Sequence, residues 1–190
     1  MEKVLQVFNS FAEAEEADRK YYQSLTPAQR IEILLVLRSL IKRNDDEPRG
    51  RLKRVIELLN ALKVRYIIVG AFAVAYHSYP RYTADIDLFI ERSSENAQAI
   101  LKAIKQFGFG DLGLLSEDFL QADQVVQLGV APNRIDLLTF LSGVEFQEAW
   151  ATRVQGELAG LSVPIISKEL LKKNKAACGR SQDKADLEHL

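Results

Sequence analysis

The stretch Tyr66–Glu91 joins two short apolar segments and carries two closely spaced aspartates. Its first residues, through Val69, are apolar and mostly β-branched, a composition typical of a buried strand. Gly70 ends that strand. Residues 71–77 are then predicted to form a short helix, and Pro80 marks a turn. We therefore expect the order strand, glycine turn, helix, turn and second strand.

The second strand is predicted over Asp85–Ile90 and begins with the motif Asp-Ile-Asp. Because side chains alternate along a strand, Asp85 and Asp87 share one face while the aliphatic residues point to the core. Two like charges about 4 Å apart repel by roughly 4 kcal/mol at the effective dielectric constant of a protein surface. A shared cation removes this repulsion, and carboxylates suit Mg²⁺ or Mn²⁺. A solvated strand end with two ordinary aspartates is the alternative interpretation.

A third aspartate lies in a later apolar segment. Strands are predicted at Val125–Leu128 and at Arg134–Leu138, and Asp136 lies within the Arg134–Leu138 strand. A carboxylate in mid-strand is costly to bury without a partner. If this strand lies beside Asp85–Ile90, Asp136 becomes a third ligand of the same cation. An ion pair with Arg134 or a charge at the sheet edge explains Asp136 equally well.

The composition is that of a globular protein, since 47% of the 190 residues are hydrophobic and 27% are charged. The net charge of −1 gives no global basic field, so a nucleic-acid partner would need a local basic patch. The single cysteine, Cys178, excludes an internal disulfide. The sequence has no apolar run of membrane-spanning length and no signal-peptide pattern at its N-terminus. We therefore expect a cytoplasmic protein with no membrane partner.

The N-terminal part of the chain is predicted to be helical. An apolar stretch at Val4–Phe8 can form a short strand, and a charged helix is predicted over residues 11–22. The next helix has clear start signals: Thr26 as N-cap, Pro27 at the first helical position and Gln29 closing a capping box. It extends to about residue 42 and carries a broad apolar stripe.

A boundary is predicted at the linker-like stretch 44–50, NDDEPRG. We therefore place a helical module at residues 1–48 and a compact α/β domain at residues 49–190. A helix from Arg51 leads into the Tyr66 strand.

Two helices are predicted near the C-terminus. Their capping and stop residues are Ser167, Gly179 and Ser181. Lys175, near the end of the first helix, can satisfy the helix dipole. Arg180 and Asp183 fit a structural ion pair or the wall of an active site equally well. Asp186 shares a helix face with Asp183 and is interpreted as structural.

The order glycine turn, helix, D-x-D strand and third aspartate resembles the nucleotidyltransferase-fold superfamily, the polymerase-beta-like group. It is most similar to the small bacterial branch that includes toxin–antitoxin and abortive-infection nucleotidyltransferases. The resemblance covers about residues 50–190, and its most specific elements are Gly70-Ala71 and the segment RYTADIDL from Arg81. The stretch KELLKKNKAACGRSQDKADLEHL is similar to the closing helices of that branch. The resemblance implies an α/β (α+β) fold, a small mixed β-sheet flanked by helices.

The resemblance also implies transfer of a nucleoside monophosphate from an NTP to a hydroxyl of RNA or protein, with pyrophosphate leaving. Two metal ions about 3.5–4 Å apart can hold the attacking and leaving oxygens of such a displacement. Asp85 and Asp87 would bridge the metals, Mg²⁺ or Mn²⁺. Asp136 would bind the metal that activates the acceptor hydroxyl.

The nucleotide would be held by residues on both sides of these aspartates. Gly70 and Ala71 would approach the phosphates through their backbone, although the superfamily usually has Gly-Gly or Gly-Ser at this turn. Ala71 keeps a backbone N–H at a helix start, as phosphate binding requires. By resemblance Lys175 would reach the triphosphate. The other candidates are Arg81 and Thr83, for phosphate or acceptor, and Arg180 and Asp183.

The N-terminal helices resemble short helical proteins that accompany nucleotidyltransferases of this branch. They would form a regulatory arm or bind a cognate toxin or antitoxin partner, unless they only complete the core. Two function classes therefore stay open. The first is an active nucleotidyltransferase, favoured by the three aspartates. The second is a catalytically weak relative that binds nucleotide or a partner and acts as an inhibitory protein, an interpretation that Ala71 keeps open.

Overall fold

The computed structural model describes residues 20–40, 48–83, 85–110, 113–129 and 134–190. The apolar stretch Val4–Phe8 and most of the charged helix predicted over residues 11–22 lie outside the described residues, as do residues 44–47 of the linker-like stretch. The last three residues of that stretch, 48–50, are helical.

The centre of the fold is a six-stranded mixed sheet. Its strands are β1 Tyr66–Ile68, β2 Asp85–Ile90, β3 Val125–Leu128, β4 Arg134–Leu138, β5 Val154–Leu158 and β6 Leu161–Ile165. They follow the order β3-β4-β2-β1-β6-β5 across the sheet. Strand β2 is antiparallel to β1 and parallel to β4, and β6 is parallel to β1. The predicted fold class, a small mixed sheet flanked by helices, is confirmed.

Seven α-helices flank the sheet in the described residues. They are α1 Pro27–Leu40, α2 Pro48–Ala61, α3 Gly70–His77, α4 Ser94–Ile104, α5 Phe146–Thr152, α6 Lys168–Cys178 and α7 Ser181–His189. A π-helical turn at Lys105–Phe109 and a 3₁₀ turn at Ser116–Phe119 complete the helical segments. None of these helices has both the length and the apolar character of a membrane span.

Local sequence signals explain how most of these helices begin and end. The capping box before α1 is formed, because the Thr26 amide donates to the Gln29 side chain at 2.8 Å and the Gln29 amide to the Thr26 hydroxyl at 3.2 Å. Gly179 ends α6 in the left-handed conformation, with φ of 65°. The predicted cap at Ser181 is wrong, since Arg180 is the N-cap of α7 and gives no side-chain cap.

The hydrophobic core includes the buried residues of the sheet, α3 and the facing sides of α1 and α2. Helix α1 contributes Ile31, Leu34 and Leu35 to this core. Burying an aliphatic side chain of this size stabilises a fold by about 1.5–3 kcal/mol. Helix α1 therefore shares one hydrophobic core with the sheet and α3.

Arg30 adds a polar connection between α1 and α3. Its side chain is 7% exposed. It donates to the carbonyl oxygens of Ala75 at 3.1 Å and Tyr76 at 2.7 Å, in the last turn of α3. It also donates to the Tyr22 carbonyl at 3.1 Å. The guanidinium thus ties the segment around α1 to the C-terminal end of the helix that starts at Gly70.

Candidate active site

Strands β2 and β4 lie side by side in parallel and bring three aspartates to one face of the sheet. Asp87 pairs in register with Asp136, and Asp85 pairs with Arg134. Because side chains alternate along a strand, Asp85, Asp87 and Asp136 project from the same face. The neighbouring position of the two strands, on which the predicted carboxylate cluster depends, is therefore present.

Arg134 neutralises two of these three carboxylates. Its Nε and Nη2 atoms donate to the two oxygens of Asp136, at 2.8 and 3.0 Å, and Nη2 also forms an ion pair with Asp85. Thr83 donates to the other oxygen of Asp85 at 2.6 Å. Gln127 donates to Asp136 at 3.3 Å. Every carboxylate oxygen of Asp85 and Asp136 thus accepts a hydrogen bond.

Asp87 differs from the other two carboxylates because the described residues offer it no hydrogen-bond donor. Burial is the main cause that raises its pKa from 3.8 to about 6, and repulsion from Asp85 and Asp136 adds to the rise. The cations Lys175 and Arg180 lie close enough to oppose it. A carboxylate whose charged form is disfavoured in this way gains most from a bound cation.

Gly70 provides the space that the Asp87 carboxylate fills. Its φ of +60° lies in the left-handed region, and a Cβ atom there would overlap Oδ2 of Asp87 and lie 2.8 Å from its Cγ. Helix α3 starts at Gly70, and its N-cap residue Val69 gives no side-chain hydrogen bond to the first turn. An uncapped helix N-terminus, with the buried Ala71 in its first turn, therefore lies beside Asp87.

Lys175 is buried between two carboxylates of helix α7. Its Nζ atom lies 2.8 Å from Oδ1 of Asp183 and 2.8 Å from Oδ2 of Asp186. These contacts, rather than the helix-end carbonyls, neutralise the ammonium group. Burial alone would raise the pKa of both aspartates, but hydrogen bonds from Lys175 and from neighbouring arginines outweigh it, so both pKa values are lowered. Asp186 has the structural role predicted for it.

Two arginines extend this buried cluster. Arg180 donates to Asp183 at 2.7 Å, while 73% of its side chain is exposed. Arg81 donates to both oxygens of Asp186, at 2.9 and 3.1 Å. Arg81 is therefore not a simply solvated turn residue. Its guanidinium ties the loop before β2 to helix α7.

The three aspartates are of the ligand type that suits a divalent cation, and they project from the same face of two adjacent strands, where their mutual repulsion contributes to the high pKa of Asp87. Over the described ranges, however, no group of three His, Cys, Asp or Glu side chains is arranged to hold a metal ion. Arg134 also occupies this cluster, since its guanidinium binds oxygens of both Asp85 and Asp136. A cation needs some of those oxygens to be released.

The role of Arg134 was only partly visible in the sequence. The pattern Arg-x-Asp on one strand suggests its pair with Asp136, because residues i and i+2 share a face. Its bridge to Asp85 depends on the register between β2 and β4, which no local pattern specifies. Gln127, on β3, was missed because its strand shows no signal that it borders the site.

Comparison with known families adds an independent finding. A family model described as aminoglycoside-2''-adenylyltransferase matches residues 51–190, more than half of the chain. This is a family of nucleotidyltransferases, so the predicted resemblance to that superfamily is confirmed. No match was found among the curated proteins.

Proposed function

Because the chain belongs to the aminoglycoside-2''-adenylyltransferase family, we propose that it is a metal-dependent nucleotidyltransferase that moves a nucleoside monophosphate from an NTP to an acceptor hydroxyl. The family description names adenylyl transfer, so ATP is the proposed donor. The observation that carries the proposal is the position of Asp87. It is paired with Asp136 across two parallel strands, lacks a hydrogen-bond donor among the described residues, and lies beside the uncapped start of α3.

In the proposed reaction, Asp85, Asp87 and Asp136 hold the metal. Mg²⁺ or Mn²⁺, when bound, neutralises these carboxylates and the triphosphate and favours loss of the acceptor proton. Asp136, which is paired with Asp87, would also accept that proton. Thr83 acts on this reaction through Asp85, whose carboxylate it orients with a 2.6 Å hydrogen bond.

The triphosphate is proposed to lie between the start of α3 and the C-terminal helices. The backbone N–H groups at Gly70 and Ala71 offer donors of the kind that bind phosphate. Arg180 offers an exposed guanidinium that Asp183 holds near Asp87. Lys175 contributes positive potential from its buried position, and its ion pairs position α7. Arg81 acts in the same way, through Asp186.

For the acceptor, we propose a hydroxyl of an aminoglycoside, because the description of the matched family names that class. A hydroxyl of RNA or of a protein is the alternative, and a toxin–antitoxin pair is the setting that the resemblance to the small bacterial branch suggests. A partner of that kind would dock on the N-terminal helices. Labelling of separate acceptors distinguishes these acceptor classes.

A second candidate function is favoured by the contacts of Arg134. If the guanidinium stays between Asp85 and Asp136, these two carboxylates cannot act as metal ligands. The protein would then be a catalytically weak relative that binds nucleotide or a partner protein. Ala71, in place of the usual glycine or serine, is consistent with that candidate.

The test is incubation of the purified full chain with each α-labelled NTP and Mg²⁺ or Mn²⁺. Aminoglycosides, total RNA and a protein lysate serve as separate acceptors, and Asp87→Asn is the isosteric control. We expect label on one acceptor class and its loss in the variant. Label on no acceptor, together with normal ATP binding, would favour the second candidate. Equal labelling by wild type and Asp87→Asn would refute the role of the three aspartates.

A further inference from the structure

Arg134 places positive charge between two of the proposed metal ligands. We propose that Arg134 is a built-in counter-ion that competes with the divalent cation for Asp85 and Asp136, so that cation binding requires the guanidinium to leave Asp85. The inference rests on the proposed function, because it assigns a role to a side chain of the same site.

The contacts of the guanidinium support this role. Nη2 is shared between Oδ2 of Asp85 and Oδ2 of Asp136, and Nε binds the other oxygen of Asp136. Arg134 thus bridges Asp85 and Asp136, two proposed metal ligands on adjacent strands. Its positive charge lies between these carboxylates, at the position proposed for the metal. Arginine is charged at all physiological pH values, so the competition is not removed by proton loss.

The guanidinium also has a route away from the carboxylates. The Arg134 side chain is 29% exposed, whereas Lys175 of the neighbouring ion cluster is 4% exposed. Asp85 is 22% exposed, so water reaches this ion pair and solvates its members when they separate. Releasing Arg134 from Asp85 therefore costs less than breaking the fully buried pair of Lys175.

The distribution of partners among the three aspartates is consistent with competition. Asp85 and Asp136 are satisfied by Arg134, Thr83 and Gln127. Asp87 has no hydrogen-bond donor among the described residues, so an approaching cation displaces no hydrogen bond at this carboxylate. The proposed order is contact at Asp87 first, followed by release of Asp85 from Arg134.

Manganese binding to the nucleotide-free full chain tests the proposal. Free Mn²⁺ is measured by electron paramagnetic resonance for wild type, Arg134→Gln and Arg65→Gln. Arg65 is a matched control, since it is partly exposed and pairs with Glu91, outside the three aspartates. We expect Arg134→Gln to bind Mn²⁺ about tenfold more tightly, equivalent to about 1.4 kcal/mol, and Arg65→Gln to bind as wild type does. Equal or weaker binding by Arg134→Gln would overturn the proposal, as would absence of binding in all three proteins.

A second measurement needs no substitution and remains informative if Arg134→Gln fails to fold. In the ¹⁵N-labelled wild-type protein, the Nη–H resonances of Arg134 are followed during titration with Mg²⁺, which is diamagnetic. The bonds from Nη2 to Asp85 and Asp136 protect these protons in the metal-free form. We expect Mg²⁺ to shift the resonances and to accelerate their exchange with water. Resonances that stay unchanged at saturating Mg²⁺ would overturn the proposal.

These measurements are independent of nucleotidyl transfer. Competition between Arg134 and the cation in a protein that labels no acceptor would sustain this inference and refute the proposed activity. Transfer activity with Mn²⁺ affinity unaltered by Arg134→Gln would sustain the activity and refute the inference.

Discussion

A Cβ atom added to Gly70 would overlap Oδ2 of Asp87 and lie 2.8 Å from its Cγ. The turn before α3 and the second aspartate of the D-x-D motif are therefore fitted to each other. The carboxylate occupies the volume that a larger residue at position 70 would need, and the backbone there has a φ of +60°. The glycine is thus required twice, for its conformation and for the space it leaves.

Substitution of Gly70 tests this fit. We expect Gly70→Ala to lower the free energy of unfolding by about 1–3 kcal/mol more than Gly160→Ala does, as measured by urea denaturation. Gly160 is a matched control, since its φ is +81° and nothing lies within 4 Å of an added Cβ. The Gly160→Ala variant therefore measures only the free-energy cost of an alanine in the left-handed backbone conformation. Equal losses in the two variants would show that Asp87 moves aside without cost.

The raised pKa of Asp87 predicts how stability depends on pH in metal-free buffer. The folded-state pKa is about 6 and the ordinary value 3.8, so the folded state binds this proton more tightly than the unfolded state. The contribution of Asp87 to stability is therefore complete below about pH 3.8 and lost as pH rises through 6. The full difference is on the order of 3 kcal/mol.

Asp87→Asn removes that dependence. We expect the free energy of unfolding of the variant, relative to wild type, to rise between pH 4 and pH 7, leaving the variant more stable at pH 7. Chemical denaturation with a chelator present at each pH measures this difference, and carboxylates that do not interact with Asp87 cancel in the comparison. A difference that is constant with pH would show that Asp87 titrates near its ordinary pKa.

Lys175 is expected to be a stability residue as well as a candidate phosphate residue. Lys175→Met removes the buried partner of Asp183 and Asp186, and breaking such a pair costs about 3–5 kcal/mol. Lys173→Met on the same helix is the control, because Lys173 forms an exposed pair with Glu148 and should cost less than about 1 kcal/mol. Thermal and urea unfolding measure both. Normal stability with weakened ATP binding would instead assign Lys175 mainly to the nucleotide.

The hydrogen bonds from Arg30 to helix α3 predict that helix α1 stabilises the fold. Arg30→Met deprives the carbonyls of Ala75 and Tyr76 of a charged donor, and we expect a loss of about 2–4 kcal/mol in the free energy of unfolding. Arg54→Met, at an exposed position on α2, should change stability by less than about 0.5 kcal/mol.

Deletion of residues 1–48 tests the predicted domain boundary directly. Because the deletion removes Ile31, Leu34 and Leu35 from the hydrophobic core, we expect little soluble, cooperatively folding protein. A soluble fragment 49–190 with a sharp unfolding transition would support a separate N-terminal module. Changed activity in that fragment would support a regulatory role.

Local patterns in the sequence predicted the parts of the site that depend on one element. Alternation along β2 placed Asp85 and Asp87 on one face, and the capping pattern at Thr26 and Gln29 predicted the start of α1. The strand prediction at Arg134–Leu138 matched β4 in both bounds. These features follow from backbone geometry over a few residues, so a single sequence is sufficient to infer them.

The features that were missed depend on contacts between distant parts of the chain. The β5–β6 hairpin was not predicted, because its strands are short and contain a glycine and a proline. The partners of Lys175 lie on the next helix, and their selection depends on how α7 packs against α6. The bridge from Arg134 to Asp85 requires the register of two strands separated by a long stretch of chain.

The ion cluster of Lys175 has a consequence for the order in which the protein matures on the ribosome. Asp183 and Asp186 are on α7, whereas Arg81, Thr83 and the D-x-D strand are synthesised much earlier. While α7 is still in the exit tunnel, the nascent chain lacks Asp186, the ion-pair partner of Arg81. It also lacks the two carboxylates that neutralise the charge of Lys175. The Asp186 contact that fixes the loop before β2 therefore forms only after α7 has emerged, so the site cannot be complete while only the D-x-D strand and β4 are outside the ribosome.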